Sequence, residues 1–138
     1  MQLSIDNSLG FALTTTLNTL RKKFNSAIRE YGLSSEQFAV LKLIDEMGEL
    51  MPSKIAEILG RDRANITRII NSLEKKGFIK KEKINAKSYN ISLTPKGYEN
   101  LKKAEEVAVE FNKKMRSLVS EDDFKCIIEK LSVIRDNF

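Results

Sequence analysis

The feature that most limits the possible folds is a pair of closely spaced helical segments in the middle of the chain. Pro52-Ser53 begins a short helix, Lys54–Leu59, and Asp62 is placed to cap a second helix over residues 63–76. A glycine directly after the second helix is suited to end it. A short helix, a tight turn and a second helix together predict a helix-turn-helix unit.

Two short runs, Phe78–Lys83 and Ser88–Leu93, follow the second helix and flank a tip over residues 84–87. Polar and apolar residues alternate in the second run, which is typical of a strand with one buried face. The two runs therefore predict a β-hairpin. A hairpin in this position makes the unit a winged helix-turn-helix.

Longer helices flank this unit. Apolar spacing predicts helices over residues 7–31, from the Ser34 capping box to Met47, for more than twenty residues from Thr94-Pro95, and over roughly residues 121–136. Gly48 is expected to end the second of these in the left-handed conformation. The apolar stripes of the long terminal helices need to be covered, by each other and by a second subunit.

We therefore expect one domain that is mainly α-helical with a small β-hairpin wing. Residues 33–97 are predicted to form the winged helix-turn-helix unit, and residues 1–32 and 98–138 the long flanking helices through which two subunits would dimerise.

The composition excludes several kinds of chemistry. The chain has 138 residues, a formal charge of +5, no histidine and one cysteine, Cys126. It therefore cannot assemble a Cys/His zinc site within one subunit, or a Ser-His or Cys-His nucleophile pair. Asp122-Asp123 could hold magnesium in principle. Acids at a helix start have a simpler explanation, because they interact favourably with the positive end of the helix dipole. We expect no enzymatic activity, no metal site and no cofactor.

The composition also limits where the protein is expected in the cell and which partners it is expected to bind. The mild positive charge permits an anionic partner. No segment has the apolar length of a membrane span, and the first twenty residues lack the early basic cluster of a signal peptide. A single cysteine gives no intrachain disulfide, which suits a reducing compartment. The expectation is a cytoplasmic protein that makes no membrane contact.

The helix over residues 63–76 combines a narrow apolar face with an unusual polar one. At about 3.6 residues per turn, Ile66, Ile69, Ile70 and Leu73 share the face that packs on the rest of the unit. The opposite face carries the residue types that bond base edges: Arg to guanine, Asn to adenine, and Ala or a Thr methyl group to thymine. This predicts insertion into a DNA major groove, the alternative being a merely solvated helix face. The candidate base-reading residues are Arg68, Asn65, Thr67, Ala64 and Arg63.

A second group of residues is placed to contact the DNA backbone. Ser53 offers a hydroxyl and a free backbone N–H at a helix start, although it could also be an ordinary N-cap. The lysines of the hairpin suit either backbone or minor-groove contact, or a charged edge strand that discourages aggregation. The candidates are Ser53, Lys54, Arg61, Asn71, Lys75, Lys80, Lys81, Lys83, Asn85 and Lys87. Among them, Arg61 and Asn71, like Arg63, could contact either bases or phosphates.

Three segments, "LSSEQFAVLKLI", "PSKIAEILGRDRANITRIINSLEKKGFI" and "NAKSYNISLTPKG", resemble the MarR family of winged helix-turn-helix transcription regulators. The resemblance covers nearly the whole chain. Leu93, Thr94 and Gly97 match the end of the family's wing pattern, whereas Asn85 and Lys87 stand where the family has an Asp and an Arg. The resemblance implies a homodimer, held together by the terminal helices, that binds a pseudo-palindromic operator in double-stranded DNA, usually as a repressor released by a ligand or an oxidant.

Relatives in that family often accept small aromatic carboxylates or phenols between the dimerisation region and the winged unit. By this resemblance the candidate residues for an effector cleft are Arg21, Phe24, Tyr31 and Phe111, which could equally be plain core. Cys126 has no histidine and no obvious cationic partner, and it is expected to be a small packing residue. The alternative function is a non-enzymatic winged-helix module that binds protein or nucleic acid without sequence specificity.

Overall fold

The computed structural model describes residues 1–138 and contains six α-helices and one two-stranded antiparallel sheet. A single 3-10 turn, Arg29–Tyr31, follows the first helix. The predicted fold class, mainly α with a β-hairpin wing, is confirmed. The elements are α1 (Leu9–Ile28), α2 (Ser35–Met47), α3 (Pro52–Leu59), α4 (Arg63–Lys75), β1 (Ile79–Lys83), β2 (Tyr89–Leu93), α5 (Pro95–Ser117) and α6 (Glu121–Asp136).

Side-chain caps set where the helices begin. At α2, the Gln37 N–H donates to Ser34 Oγ at 3.2 Å and the Ser34 N–H donates to Gln37 Oε1 at 3.1 Å, which is the predicted capping box. Asp62 Oδ1 accepts from the Asn65 N–H at 2.7 Å at the start of α4. These contacts satisfy backbone donors that a helix start otherwise leaves without partners. The local sequence therefore fixes the register of the two helices.

Three predicted features of the helices differ from the structure. The first helix begins at Leu9 and gives way to the 3-10 turn after Ile28, so it is shorter than the predicted 7–31. The N-cap of α3 is Met51 and Ser53 is the second residue of that helix, so the N-cap alternative for Ser53 is wrong. Gly48 has φ +82° and ψ −161°, a positive φ outside the left-handed helical region in which we expected it.

The core lies mainly inside the winged unit. Ile66, Ile70 and Leu73 of α4 are fully buried, as the apolar spacing predicted, but Ile69 is only partly buried. Leu50, in the loop before α3, pairs with Ile91 of β2, with backbone N–H to O distances of 3.2 and 2.8 Å. This pairing attaches the wing to the loop between α2 and α3.

The wing is a regular hairpin whose tip is braced locally. Ile79 pairs with Leu93 at its base and Lys83 with Tyr89 near its tip. At the tip, the Lys87 backbone N–H donates to Asn85 Oδ1 at 2.9 Å. Because this contact uses the backbone of Lys87, an Asx turn stabilises the tip and leaves the lysine ammonium exposed.

The wing ends in a close contact with α5. Thr94 Oγ1 accepts from the Gly97 N–H at 3.0 Å and donates to the Gly77 carbonyl oxygen at 2.6 Å. Gly97 lies directly against the backbone of Phe78, and a Cβ atom added to it would overlap the Phe78 carbonyl oxygen and lie 2.7 Å from the carbonyl carbon. Glycine is therefore needed at position 97, in the "LTPKG" segment, because the start of α5 packs directly on the backbone of Phe78.

The terminal helices leave many apolar side chains exposed. No residue of α6 is buried, and in α1 only Ile28, at its end, is buried. None of the helices combines the length and the apolar character required to cross a lipid bilayer. Exposed apolar side chains at the two ends of the chain are Leu3, Ile5, Leu9, Phe11, Leu13, Leu17, Leu118, Val119, Ile127, Ile128, Val133, Ile134 and Phe138.

Candidate nucleic-acid interface and the adjoining cavity

The outward face of α4 carries two arginines with no partner inside the chain. Arg63 and Arg68 are exposed, and neither guanidinium makes a hydrogen bond or an ion pair within the chain. Ala64 beside them is exposed and small, so the helix backbone there can be approached closely. This part of α4 is available to an external partner that accepts hydrogen bonds.

Two other candidate base-reading residues are partly engaged within the chain. Thr67 Oγ1 donates to the Arg63 carbonyl oxygen at 2.8 Å, so its hydroxyl proton is used inside the helix. Asn65 Oδ1 accepts from Arg61 Nε at 3.2 Å. The amide protons of Asn65 and the methyl group of Thr67 remain available for a base edge.

Arg61 is held within the protein. Its Nη2 atom forms an ion pair with Glu36 Oε1 in the first turn of α2, in addition to the contact from Nε to Asn65. The sequence interpretation had Arg61 reaching a base or a phosphate. The structure places its guanidinium between α2 and α4, and a contact of Arg61 with DNA stays a prediction.

Lys81 is also engaged, at the junction of α4 and the wing. Its Nζ donates to Asn71 Oδ1 at 2.7 Å, lies 3.4 Å from Glu74 Oε1 and sits 5.1 Å from the centre of the Tyr89 ring. Asn71 is therefore bound to the wing through its carbonyl oxygen. Lys81 is thus partnered within the chain, and its contact with the DNA backbone stays a prediction.

The remaining cations of the wing and α4 are exposed. Lys80, Lys83 and Lys87 on the wing and Lys75 at the end of α4 have no ion pair or hydrogen bond from their ammonium groups. On α3, Lys54 makes only a long ion pair, at 3.7 Å, with Glu57. Ser53 is exposed beside it, at a position whose backbone N–H has no partner inside the helix. Cations without an internal partner therefore lie on the wing and at the end of α4, and Lys54 lies on α3.

A cavity of about 620 Å³ lies between the long helices and the winged unit. Phe24 is central to its aromatic wall, with ring centres 5.2 Å from Phe38 and 5.5 Å from Phe111, both edge to face. Among the predicted effector residues, Arg21, Phe24 and Phe111 line the cavity. Tyr31, in the 3-10 turn beyond α1, does not line this cavity, and its role in effector binding stays a prediction.

One end of this cavity is polar, and sequence reasoning missed the residues that form it. Ser35, Glu36 and Arg61 lie among its lining residues, and the Ser35 hydroxyl oxygen is buried without a hydrogen-bond partner. The sequence signal for Glu36 was masked because it falls inside a capping box, where an acidic residue is already expected. The rest of the lining is predominantly apolar.

A charged cluster joins α2 to α5 on another side of the winged unit. Lys42 and Lys102 both contact Glu105, each at 3.2 Å, and Lys102 also contacts Asp45 at 3.1 Å. Partial burial acts to raise the pKa of Glu105, but the hydrogen bonds from Lys102 and Lys42 outweigh it and hold that pKa below its usual range. The cluster therefore fixes the winged unit against the long helix α5.

The chain is similar in sequence to a known protein family and to curated relatives. Residues 33–86 match the MarR family model. The HTH-type transcriptional regulator SarZ of Staphylococcus epidermidis is 27% identical over 95 residues, which are 67% of this chain and 64% of that protein. The chain thus spans somewhat less than two thirds of the length of this curated relative.

Solved structures agree over almost the full length. The MepR–DNA complex of S. aureus gives a TM-score of 0.86 at 17% identity, covering 94% of this chain and 97% of that one. The repressor CouR bound to p-coumaroyl-CoA also gives 0.86, at 24% identity, covering 100% and 99%. At these identities the likeness establishes the winged helix-turn-helix fold with its long flanking helices. The match over residues 33–86, the sequence motifs and the fold all agree with the MarR family, to which this chain is similar.

Proposed function

We propose that the protein is a sequence-specific DNA-binding transcriptional regulator that acts in the cytoplasm as a homodimeric repressor. The observation that carries the proposal is the outward face of α4, where the Arg63 and Arg68 side chains are exposed without internal partners. Arg can form two hydrogen bonds to guanine in the major groove. The structural neighbour MepR was solved in a DNA complex, which supports the same use of the fold here.

The exposed apolar side chains of α1 and α6 support the homodimer. A monomer that left Leu9, Phe11, Ile127 and Ile128 in water would expose an apolar patch unusual for a soluble protein. A second copy brings the same patch and can cover it around a two-fold axis. The two α4 helices of the dimer would then lie about 34 Å apart and read two half-sites of a pseudo-palindrome.

The cavity supports release by a small effector that is aromatic or anionic. Its volume, about 620 Å³, falls in the range that small-molecule sites occupy, and its wall is largely apolar with few polar groups. It also contacts both the long helices and α4, through Phe24 and Ile69. The neighbour CouR was solved with p-coumaroyl-CoA bound, which supports the binding of an aromatic ligand by this fold.

Selection from a pool of random DNA duplexes tests the central proposal. A specific regulator should enrich a palindromic site from this pool. At roughly physiological salt, about 150 mM, its equilibrium affinity for that site should exceed its affinity for random duplexes by at least about 10³-fold. Uniform affinity for all duplexes would contradict the proposal and favour a winged-helix module that binds nucleic acid without sequence specificity. Absence of DNA binding altogether would favour a protein-binding module.

A further inference from the structure

The carboxamide of Asn65, in the first turn of α4, is held in one orientation by Arg61. Its Oδ1 atom accepts a hydrogen bond from Arg61 Nε at 3.2 Å. A guanidinium has only N–H donors, so the carboxamide atom that faces it must be the oxygen and not the nitrogen. Asn65 Nδ2 makes no hydrogen bond within the chain, and the only polar side-chain atoms buried without a partner are two serine hydroxyl oxygens, so Nδ2 reaches the solvent.

Arg61 is itself anchored through its backbone and its side chain. Its backbone N–H donates to the Ala56 carbonyl oxygen at 3.0 Å, across the turn between α3 and α4. Its Nη2 atom forms an ion pair with Glu36 in the first turn of α2. Each of the two paired side chains keeps only 35% of its surface exposed, so the pair is partly shielded from solvent and salt. The guanidinium therefore holds the oxygen of Asn65 from a fixed position.

The other polar side chains of this face also have a fixed hydrogen-bonding polarity. Arg63 and Arg68 can only donate hydrogen bonds. Thr67 Oγ1 gives its proton to the Arg63 carbonyl oxygen at 2.8 Å, so toward a base it offers only an acceptor or its methyl group. With Asn65 oriented by Arg61, three of these four side chains face outward as donors.

We propose that Arg61 and Glu36 are positioning residues that turn Asn65 into a hydrogen-bond donor toward DNA, so that it reads guanine and not adenine. Residue type alone predicts adenine for an asparagine, through one bond accepted from N6 and one donated to N7. With its oxygen directed at Arg61, Asn65 presents Nδ2 to the base, and the N6 amino group of adenine is also a donor. Guanine offers acceptors at both O6 and N7.

This specificity belongs to the regulator proposed above, on which the inference rests. Donors on Asn65, Arg63 and Arg68 all match the acceptors that guanine presents in the major groove. The half-site that α4 contacts should therefore be rich in G·C pairs, and the pair nearest Asn65 should be one of them.

The first test uses the operator that the full-length wild-type protein selects from random duplexes. The pair that Asn65 contacts is the one at which Asn65→Ala loses discrimination. There the wild-type protein should bind G·C at least about fivefold more tightly than A·T, the effect of replacing one hydrogen bond by two opposed donors. A preference for A·T at that pair, or no pair at which Asn65→Ala loses discrimination, would overturn the proposal.

The second test releases the carboxamide. Arg61→Met keeps an unbranched side chain but removes the donor, so the G·C preference at the Asn65 pair should fall to about one or reverse toward A·T, which needs both carboxamide atoms. Base preferences at the pairs read by Arg68 should stay as in the wild type, which a general loss of structure would not allow. Arg29→Met, the matched control, removes an exposed arginine outside this face and should change no preference. An unchanged G·C preference in Arg61→Met would overturn the proposal.

A measurement on the free protein separates failure of this inference from failure of the proposed function. The Nε–H group of Arg61 is hydrogen-bonded, whereas the guanidinium groups of Arg63 and Arg68 have no internal partner. In ¹⁵N spectra the Arg61 Nε–H should exchange with water about threefold to tenfold more slowly than the other two, and Asn65→Ala should reduce that difference. Equal exchange of the three groups would overturn the inference even in a protein that selects an operator. Slow exchange at Arg61 in a protein without sequence preference would uphold the contact and contradict the regulator.

Discussion

The Nζ atom of Lys81 lies 2.7 Å from Asn71 Oδ1, so a hydrogen bond ties the first strand of the wing to α4. Glu74, one helical turn further along α4, lies 3.4 Å from the same ammonium. The lysine charge is therefore balanced within the protein, and its side chain fixes the angle between the wing and the helix. The wing and α4 would meet DNA as one rigid surface.

The first prediction separates Lys81 from its neighbour Lys80. Lys81→Met removes the tie but no exposed charge, so it should weaken DNA binding by about 1 kcal/mol while leaving the salt dependence unchanged. Lys80→Met removes an exposed cation and should reduce the slope of log K against log[salt] by about 1. Binding curves over a salt series measure both. A reduced slope in Lys81→Met would show that this lysine contacts phosphate after all.

The second prediction concerns base reading by Arg68. Arg68→Ala should lose about 1–3 kcal/mol of discrimination at particular base pairs of the selected operator, because an exposed guanidinium without an internal partner is replaced by a methyl group. Lys75→Ala, at the C-terminal end of the same helix, is the control and should weaken all duplexes alike. The affinities of both variants for operators that carry single base-pair changes test this prediction. Equal weakening at every position by Arg68→Ala would contradict its assignment to bases.

The third prediction tests the close contact at the end of the wing. Gly97→Ala places a Cβ atom against the carbonyl group of Phe78, where backbone and not a flexible side chain must move, so we expect a loss of at least about 2–3 kcal/mol in the free energy of unfolding. Gly10→Ala is the matched control in α1, where the added Cβ meets only Ser8 Oγ at 3.9 Å. It should stabilise the protein by about 0.4–1 kcal/mol. Urea denaturation compares them, and equal stability of the two variants would contradict the contact.

The fourth prediction follows from the lowered pKa of Glu105. A carboxylate whose pKa falls on folding adds stability that is present above its unfolded pKa, near the ordinary 4.5, and is lost as the pH falls through the lower folded value. Glu105→Gln should therefore cost about 0.5–1 kcal/mol of unfolding free energy at neutral pH, and the difference from wild type should disappear in acid. Urea denaturation at several pH values measures it.

Glu110→Gln is the control for the fourth prediction. Glu110 pairs with Lys113 on the same helix, but 72% of its side chain is exposed, so its loss should leave the pH dependence of stability as it is in the wild type. A difference between Glu105→Gln and wild type that persisted unchanged into acid would show that the effect comes from packing rather than from the charge.

Local sequence signals account for most of the fold. Caps such as Ser34 and Asp62 fix helix starts through hydrogen bonds between residues only three positions apart. These helix starts could therefore be predicted from the sequence alone. The first helix was predicted too long because apolar spacing continues through the 3-10 turn to Tyr31. A 3-10 turn preserves much of the helical pattern, so spacing alone does not separate the two.

The candidate site was less predictable, because its decisive contacts join distant residues. Arg61 and Glu36 are 25 positions apart, and each has a sufficient local explanation, a cation before a helix and an acid in a first turn. Only the packing of α2 against α4 brings them together at the cavity. Lys81 and Asn71 were likewise predicted as separate contacts. Their hydrogen bond could not be predicted, because it depends on how the hairpin packs against α4.

The absence of any buried residue in α6 has a consequence for gene control. In the dimer we propose, much of the hydrophobic stabilisation of the chain ends arises only when two copies meet, so folding and association are linked by mass action. At low copy number a larger share of the chains is then monomeric and less stable. The amount of working regulator would therefore rise more steeply than the amount of chain synthesised, which gives its target genes a threshold.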